Sequence, residues 1–407
     1  MSAPAMQSTD RLITRPFLVV TGCALVFFVY IGMLVPIVPL FVEGPLGAGE
    51  FGIGLTVAMF AVTAIAARPF LGRIADRYGR RVLMVGGAFG AAVAGAASGQ
   101  VDAFWQLLLL RGVTGVGEAA MFVGAATLIA DLSPPERRAE GASYFSVAVF
   151  GGIGIGPIFG EMVLDDTNFE RAFAVAGVFA LVSALLALAA PARVIPIEPD
   201  ELQHDLPASD PSGRRFMHPA ALMPGIVLAC GVAAFATFSA FVPDYAREVG
   251  LATSGGLFAV YSLVSLVVRL FGATLPERLG PRRAVTLALA NVLIALVVLA
   301  TIPTVPALWV ASVFVGFGMA LNYPPLFALT VNKVSDADRA FAISSFTMFF
   351  EIGSALGGLL IGAFAQVVGK QLGFLGGAMF CLLGLYLLRV RLVPERERDL
   401  TLAPALD

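Results

Sequence analysis

The sequence predicts an all-α membrane protein whose twelve transmembrane helices form two six-helix pseudo-repeats. Three observations support this prediction: the apolar composition, the number of long apolar runs and a repeated sequence pattern. Apolar residues make up 58% of the 407 residues and charged residues only 13%, against roughly 25% charged residues in soluble domains. The mean hydropathy of +0.89 agrees with this composition. Lipid is therefore expected to be the main solvent of the chain.

Twelve apolar runs are each long enough to cross a hydrocarbon core of about 30 Å. The first six lie near residues 15–42, 50–71, 82–99, 103–130, 141–163 and 169–190, and the second six near residues 219–243, 254–275, 284–301, 304–331, 340–365 and 371–392. The first run is too long for a signal-peptide core and is interpreted as an uncleaved helix. Residues 1–190 are thus predicted to form an N-terminal half and residues 218–407 a C-terminal half. Residues 191–217, rich in proline and acidic residues, are typical of a flexible linker.

The distribution of basic residues predicts the orientation. If the amino terminus is inside, the outside loops contain only Arg171, Arg247 and Lys370, and most of the other arginines lie in inside segments. Cytoplasmic loops of membrane proteins carry such an excess of lysine and arginine. We therefore expect a multi-pass protein of the bacterial plasma (inner) membrane, with both termini and the linker in the cytoplasm.

A repeated basic stretch indicates that the two halves arose by duplication. Residues 68–81 and 269–282 share a pattern at an offset of 201 residues, which aligns Arg68 with Arg269 and Gly79 with Gly280. The same offset aligns further glycines, among them Gly115 with Gly316, Gly152 with Gly353 and Gly156 with Gly357. Parallel halves that rock about a central site are the architecture of one class of secondary transporter.

Four motifs carry a resemblance to a known family. They read Gly72-Arg-Ile-Ala-Asp76-Arg77-Tyr-Gly79-Arg80-Arg81, Leu34-Val-Pro36-Ile-Val-Pro39, Arg111-Gly112 with Gly115 and Gly117, and Gly152-Ile-Gly-Ile-Gly156-Pro157-Ile-Phe-Gly160. The first resembles the loop signature between helices 2 and 3 of the major facilitator superfamily, and the other three resemble its twelve-helix drug:proton antiporter branch. Glu161 departs from the pattern, because exporters usually have a second glycine there.

The resemblance implies a conformational latch. Asp76, Arg80 and Asp131, at the inner end of helix 4, would stabilise the outward-facing state together. The other residues assigned to the latch are Gly72, Arg77, Gly79, Glu277 and Arg282. The second latch is expected to be weaker, because Asn332 stands where the counterpart of Asp131 would be. Alternatively, the arginines only hold their loop inside.

The resemblance also implies roles for small residues and prolines. In helix 5, the family motif Gly152, Gly156, Pro157 and Gly160 would seal the interface between the halves and limit leak. Simple close packing explains these glycines equally well, because small residues let helix backbones approach in lipid. Pro36 and Pro39 indicate a kink in helix 1 with a gating role. The cavity candidates are Tyr30, Pro36, Pro39, Asn322, Tyr323 and Phe349.

Ionisable residues at membrane depth are the candidates for proton coupling. A charge near the bilayer centre costs several kcal/mol, so it is usually paired or lines water. Glu118 and Glu351 lie near the middle of helices 4 and 11, and each is expected to offer a carboxylate to a central cavity and to exchange protons there. Arg111, seven residues before Glu118, lies on nearly the same helical face and would tune proton affinity. Alternatively, Glu351 only bonds to a neighbouring helix.

Four other charged residues near the predicted helix ends receive a peripheral interpretation. Arg68 and Arg269 are expected to extend to the cytoplasmic surface, with their aliphatic stems in the apolar region. Glu161 and Asp244 are expected to lie at the outer rim.

These features predict a proton-coupled secondary transporter, most simply a monomer that exports small amphipathic organic compounds or drugs in exchange for protons. Two alternatives stay open: a transporter of the same fold for a specific metabolite, sugar or siderophore, and a non-transporting membrane sensor. No metal or cofactor is expected, because Cys23, Cys230 and Cys381 lie singly in apolar runs. Basic residues are scattered among short loops, so no nucleic-acid partner is expected. Hydrolase, zinc-protease and nucleotide-binding motifs are missing from the sequence, so neither an enzyme nor an ATP-driven pump is predicted.

Overall fold

The computed structural model of the chain describes residues 12–134, 137–164, 168–192, 217–271, 279–331, 334 and 339–391. Almost all of these residues are helical, and eleven helices are long and apolar enough to cross a membrane. A twelfth apolar segment, Gly255–Arg269, is slightly shorter. The predicted all-α fold is therefore confirmed, and the chain is a multi-pass membrane protein. Most of the predicted linker, residues 193–216, lies outside the described residues.

The twelve helices follow one another in two sets of six. The first set is α1 (Arg15–Glu43), α2 (Gly49–Tyr78), α3 (Arg80–Ala97), α4 (Phe104–Leu132), α5 (Arg138–Val163) and α6 (Phe169–Ala187). The second set is α7 (Pro219–Glu248), α8 (Gly255–Phe271), α9 (Pro281–Thr301), α10 (Val305–Val331), α11 (Arg339–Leu356, continued through a π-helical turn at Gly357–Ile361 into Gly362–Val368) and α12 (Lys370–Arg391).

Helix α2 is longer than predicted and contains the basic stretch that was expected to be a turn. It continues to Tyr78 because the residues after Phe70 are mostly good helix formers. The chain breaks at Gly79, whose φ of +90° is readily adopted only by glycine. Gly280, its counterpart in the second half, has φ of +78° and precedes α9 in the same way. The repeat therefore preserves the position of the break.

Each half packs mainly within itself. In the first half α1 lies against α5 and α6, and α3 lies against α4 and α6; α7, α9, α10, α11 and α12 make the corresponding contacts in the second half. The two halves meet chiefly where α2 packs against α11 and where α5 packs against α8. These two helix pairs are related by the sequence repeat, because α2 corresponds to α8 and α5 to α11.

The glycines of α5 pack mainly inside the first half. A side chain at Gly152, Gly156 or Gly160 would collide with the backbone of α1, where Gly32 lies opposite Gly156. Gly154, on another face of α5, instead lies against Ser262 of α8 in the second half. The motif therefore joins α5 closely to α1, and the neighbouring face of α5 contacts the other half.

A cluster around Lys370 joins the two halves at one end of the bundle. We call the end with Arg80 and Asp131 the linker end and the end with Lys370 the far end. The Lys370 Nζ binds Oε1 of Glu43 from the first half at 2.8 Å, and Oε1 of Glu248 from the second half at 2.8 Å. It also pairs with Asp244, which corresponds to Glu43 in the repeat.

Two further contacts between the halves lie near this cluster. The carboxylate of Glu161 accepts hydrogen bonds from the Ser254 backbone N–H, at 2.9 Å, and from the Ser254 hydroxyl. The Gln366 side chain accepts from the backbone N–H of Phe51 at 3.2 Å. The interface between the halves is therefore closed at the far end.

Candidate functional site

A buried ion pair joins the two halves near their middle. Arg68 of α2 pairs with Glu351 of α11, and their side chains are only 12% and 10% exposed. The expectation that Arg68 extends to the cytoplasmic surface was wrong. Helix α2 continues for ten residues beyond it, or about 15 Å, too far for the side chain to reach past the helix end. The guanidinium also lies 5.7 Å from the ring centroid of Phe122 in α4.

Glu118 of α4 is the third member of this group, which we call the central cluster: Arg68, Glu118 and Glu351. Its side chain is buried, and both Glu351 and Arg68 act on it electrostatically. Within the described part of the chain, Oε2 of Glu118 and Oε2 of Glu351 have no hydrogen-bond partner. Glu351 thus pairs directly with the guanidinium, and Glu118 interacts with it only electrostatically. Because uncompensated charge is unfavourable in a buried site, a bound proton would complete the charge balance.

Arg111 lies on α4 with Glu118 but has different neighbours. Its guanidinium lies 4.9 Å from the ring centroid of Phe60, and its strongest electrostatic neighbour is Tyr30 of α1. Tyr30 is completely buried, and its hydroxyl donates to the backbone carbonyl of Ala91 at 3.0 Å. Tyr30 is therefore placed in the core of the first half, and Arg111 lies beside it.

The second half repeats the arginine of the central cluster with a different partner. Arg269 of α8 corresponds to Arg68, and its guanidinium lies 4.2 Å from the ring centroid of Phe150 in α5. Phe150 stands at the position of the first half that corresponds to Glu351. The expectation that Arg269 extends to the surface was wrong because, like Arg68, it lies on the helix face that packs against the other half.

A small cavity adjoins Arg269. Its volume is about 30 Å³, which is room for about one water molecule. Two of the predicted cavity residues, Asn322 and Tyr323, line it. The remaining lining residues are Phe150, Ile153, Leu228, Val232, Phe235, Tyr261, Arg269, Met319 and Phe350. The cavity therefore lies between α5 of the first half and helices of the second half.

The other cavity candidates lie elsewhere. Pro36 and Pro39 are buried within α1 of the first half, as is Tyr30. Phe349 is 5% exposed and packs against Gly225 of α7, on a different face of α11 from Glu351. These residues support the helix packing around the cavity and do not line it.

At the linker end, two of the predicted latch residues form an ion pair. Arg80, the first residue of α3, pairs with Asp131 in the last turn of α4. The Arg77 guanidinium lies 5.3 Å from the ring centroid of the neighbouring Tyr78, and Arg282 is exposed in the first turn of α9. Gly72 and Asp76 lie in the last turns of α2. The side chain of Asp76 and the whole of Glu277 lie outside the described residues.

The sequence interpretation did not assign Arg68, Arg269 and Lys370 to any site. A usable signal was present for the first two, because arginine recurs at the offset of 201 residues inside both apolar runs. For Lys370, the signal was the pair of acidic residues Glu43 and Asp244, which recur at the same offset at the ends of α1 and α7. Neither signal can be interpreted without knowing which helices face one another.

Comparisons with known proteins identify the family. The family model of the Major Facilitator Superfamily matches residues 20–337 and 225–405. Multidrug resistance protein 1 of Bacillus subtilis is 25% identical over 349 residues, which cover 82% of this chain and 86% of that protein.

Solved structures show the same fold. A crystal structure of a bacterial homolog of the human lysosomal transporter Spinster, inward-facing and unoccupied, matches with a TM-score of 0.75 and 15% identity, covering 92% of this chain and 95% of that one. The nucleoside transporter NupG matches with a TM-score of 0.70 and 14% identity, covering 94% and 100%. The family match over most of the sequence, together with this shared fold, establishes that the chain belongs to the Major Facilitator Superfamily.

Proposed function

We propose that the protein is a proton-coupled secondary transporter that exports small amphipathic organic compounds from the bacterial cytoplasm in exchange for protons. The observation that supports this best is the central cluster. Arg68 pairs with Glu351, and a second buried carboxylate, Glu118, interacts electrostatically with both, at the junction of two halves that must move against each other in transport. The similarity to a multidrug resistance protein supports export and a broad substrate range.

The proposed cycle uses the protonation of Glu118 and Glu351. When both are ionised, Glu351 holds α11 against Arg68 of α2, and the second carboxylate attracts a cationic group of the substrate. A proton that arrives from outside displaces this group and neutralises a carboxylate. Neutral Glu351 no longer forms an ion pair with Arg68, so α2 and α11 can slide past each other. The emptied, protonated transporter then returns to face the cytoplasm, where the carboxylate releases its proton and the site accepts a new substrate.

The orientation and the supporting residues belong to the same proposal. The linker end, with its many arginines, faces the cytoplasm. The Arg80–Asp131 pair lies within the first half and is already formed here, and its combination with Asp76 is proposed to latch this end in the outward-facing state. Arg111 is proposed to tune the field at α4. The glycine motif of α5 limits leak by holding α5 tightly against α1. The far end faces outward, where the Lys370 cluster keeps the halves together in the form described above.

Glu118→Gln is expected to reduce gradient-driven transport of ethidium to the level of vesicles that lack this protein. Glutamine keeps the size of the side chain but cannot bind and release a proton, so the gradient no longer drives the cycle. The measurement compares ethidium movement in inverted membrane vesicles with and without an uncoupler. Glu170→Gln, at an exposed position in the first turn of α6, is the matched control and should transport like the wild type.

Two results would contradict the proposal. One is wild-type efflux that persists when an uncoupler has collapsed the proton gradient. The other is a Glu118→Gln variant that transports as well as the wild type. A non-transporting sensor would give no gradient-driven ethidium movement in either protein.

A further inference from the structure

Among the described residues, no carboxylate neutralises Arg269, the arginine of the second half. Arg68 has Glu351, but at the corresponding place Arg269 has the aromatic face of Phe150. In the described part of the chain, Arg269 forms no ion pair, and its Nε has no hydrogen-bond partner. The face of an aromatic ring compensates the charge of a buried guanidinium less completely than a carboxylate does. The charge of Arg269 is therefore available to an anion that enters the adjoining cavity.

A second polar group of this cavity is also unsatisfied. Asn322 is only 1% exposed, and neither its Oδ1 nor its Nδ2 has a partner among the described residues. The amide lies against Gly231 of α7, where a side chain would collide with it. A buried amide without partners is unfavourable unless a ligand or water supplies them. Asn322 and Arg269 thus present hydrogen-bond donors to the same small space, and Asn322 also presents an acceptor.

The remaining walls of the cavity favour a flat apolar body. Phe150, Tyr261, Tyr323 and Phe350 line it, and the Tyr323 ring stacks on Phe327 at 5.7 Å between centroids. Aromatic walls with a few polar groups are typical of sites for aromatic ligands. Because Phe150 belongs to the first half and the other three belong to the second, separation of the halves would enlarge the cavity from its present 30 Å³.

The cavity connects electrostatically to the central cluster through Tyr323. Its ring lines the cavity, and its hydroxyl is influenced by Arg269 as well as by Glu351 and Arg68. The cluster residues do not line the cavity, but they act electrostatically on its Tyr323 wall. Arg269 gives the cavity a positive charge, and the neighbouring central cluster carries a net negative charge when Glu118 and Glu351 are both ionised. A ligand with an anionic and a cationic group would match this arrangement once the cavity enlarges.

We propose that Arg269 and Asn322 form a carboxylate subsite, so that aromatic zwitterions are the preferred substrates and aromatic cations without a carboxylate, such as ethidium, bind more weakly. The carboxylate of the substrate binds the Arg269 guanidinium and the Asn322 amide, its aromatic body lies among the tyrosine and phenylalanine rings, and its ammonium group faces the central cluster. This assignment rests on the proposed function, because the proton then competes with the ammonium group for the same carboxylates.

Binding of three fluorescent probes to the purified full-length protein in detergent tests the assignment. Dansyl-lysine carries an aromatic body, a free ammonium and a free carboxylate; its methyl ester lacks the anion, and its Nα-acetyl derivative lacks the cation. The wild type should bind dansyl-lysine about tenfold or more tightly than the ester, because charge-assisted hydrogen bonds are lost with the carboxylate. It should also prefer dansyl-lysine to the acetyl derivative.

Substitutions then locate the preference. Arg269→Gln should abolish the difference between dansyl-lysine and its ester while leaving the affinity for the ester nearly unchanged, and Arg269→Lys should keep part of the difference. Asn322→Ala should reduce the difference in affinity between dansyl-lysine and its ester. Arg283→Gln is the matched control, because this arginine is exposed in the first turn of α9, belongs to neither the latch nor the cavity, and should not affect any probe.

Equal binding of the acid and the ester by the wild type, or no binding of any probe, would overturn the assignment. So would an Arg269→Gln variant that loses all three probes equally, since that result indicates a general disturbance of the fold. The measurement needs no proton gradient. Carboxylate-dependent binding combined with uncoupler-insensitive efflux would therefore remove the proton coupling and keep the subsite, and the converse result would remove the subsite alone.

Discussion

Glu351→Gln is expected to abolish gradient-driven transport while leaving exchange of substrate for substrate across the membrane. Glutamine cannot carry the proton, so protonation no longer changes the attraction between α2 and α11. Exchange needs no net proton movement and only requires that the halves rock with substrate bound. Neutral glutamine corresponds to the protonated state, in which the Arg68 ion pair is broken.

Proteoliposomes provide the measurement, with labelled ethidium inside and either a pH gradient or excess unlabelled ethidium outside. The wild type and the control Glu170→Gln should respond to both conditions, and Glu351→Gln only to the second. A variant that fails in both conditions would point to a damaged fold and contradict a specific coupling role. A variant that still follows the pH gradient would show that protons couple elsewhere.

Arg68→Gln is expected to be the most destabilising single substitution at the centre of the molecule. It leaves Glu118 and Glu351 buried without their cation, and breaking a buried pair by removing one partner costs about 3–5 kcal/mol. Because the cost comes from ionised carboxylates, the substitution should lower the apparent Tm strongly at alkaline pH and weakly at acid pH, where protonation removes the charge. The apparent Tm of the wild type should depend less on pH.

The double variant Arg68→Gln/Glu351→Gln isolates the interaction between the two residues. It removes one of the two buried carboxylates with the arginine and should recover much of the apparent Tm of the wild type at alkaline pH. Thermal unfolding of the four proteins in detergent, at alkaline and at acid pH, gives the coupling. If the two substitutions lower the apparent Tm additively, or if Arg68→Gln lowers it equally at both pH values, the ion pair does not hold α2 and α11 together.

The helices could be predicted well from the sequence because the signal is local. The length of an apolar run predicts a membrane span, and the offset of the repeat indicates which helices of the two halves correspond. The predicted span ends at residue 71, seven residues before the observed end of α2 at Tyr78, because the basic residues indicate the start of a loop. Arginine and alanine favour a helix regardless of where the membrane ends, and the break came only at Gly79.

The site was less predictable because it depends on which helices face one another. Glu118 and Glu351 were identified from their depth, but the partner of Glu351 lies 283 residues away in the other half. Helical periodicity places Arg68 on a face of α2 and cannot say that this face meets α11. Arg111 shares α4 with Glu118, but its guanidinium lies by Phe60 and Tyr30, and its effect on proton affinity stays a prediction.

The most direct test of the central claim is the distance between the halves at the far end as a function of pH. Nitroxide labels are attached at Asp102→Cys and Thr304→Cys, which are exposed positions just before α4 and its counterpart α10. Pulsed electron paramagnetic resonance then measures the distance between the labels. The buried native cysteines Cys23, Cys230 and Cys381 are replaced by alanine. If protonation of Glu351 releases the halves, the wild-type distribution should change between neutral and acid pH, and Glu351→Gln should show the acid distribution at both. A wild-type distribution that ignores pH, or a Glu351→Gln variant that still switches like the wild type, would contradict the claim.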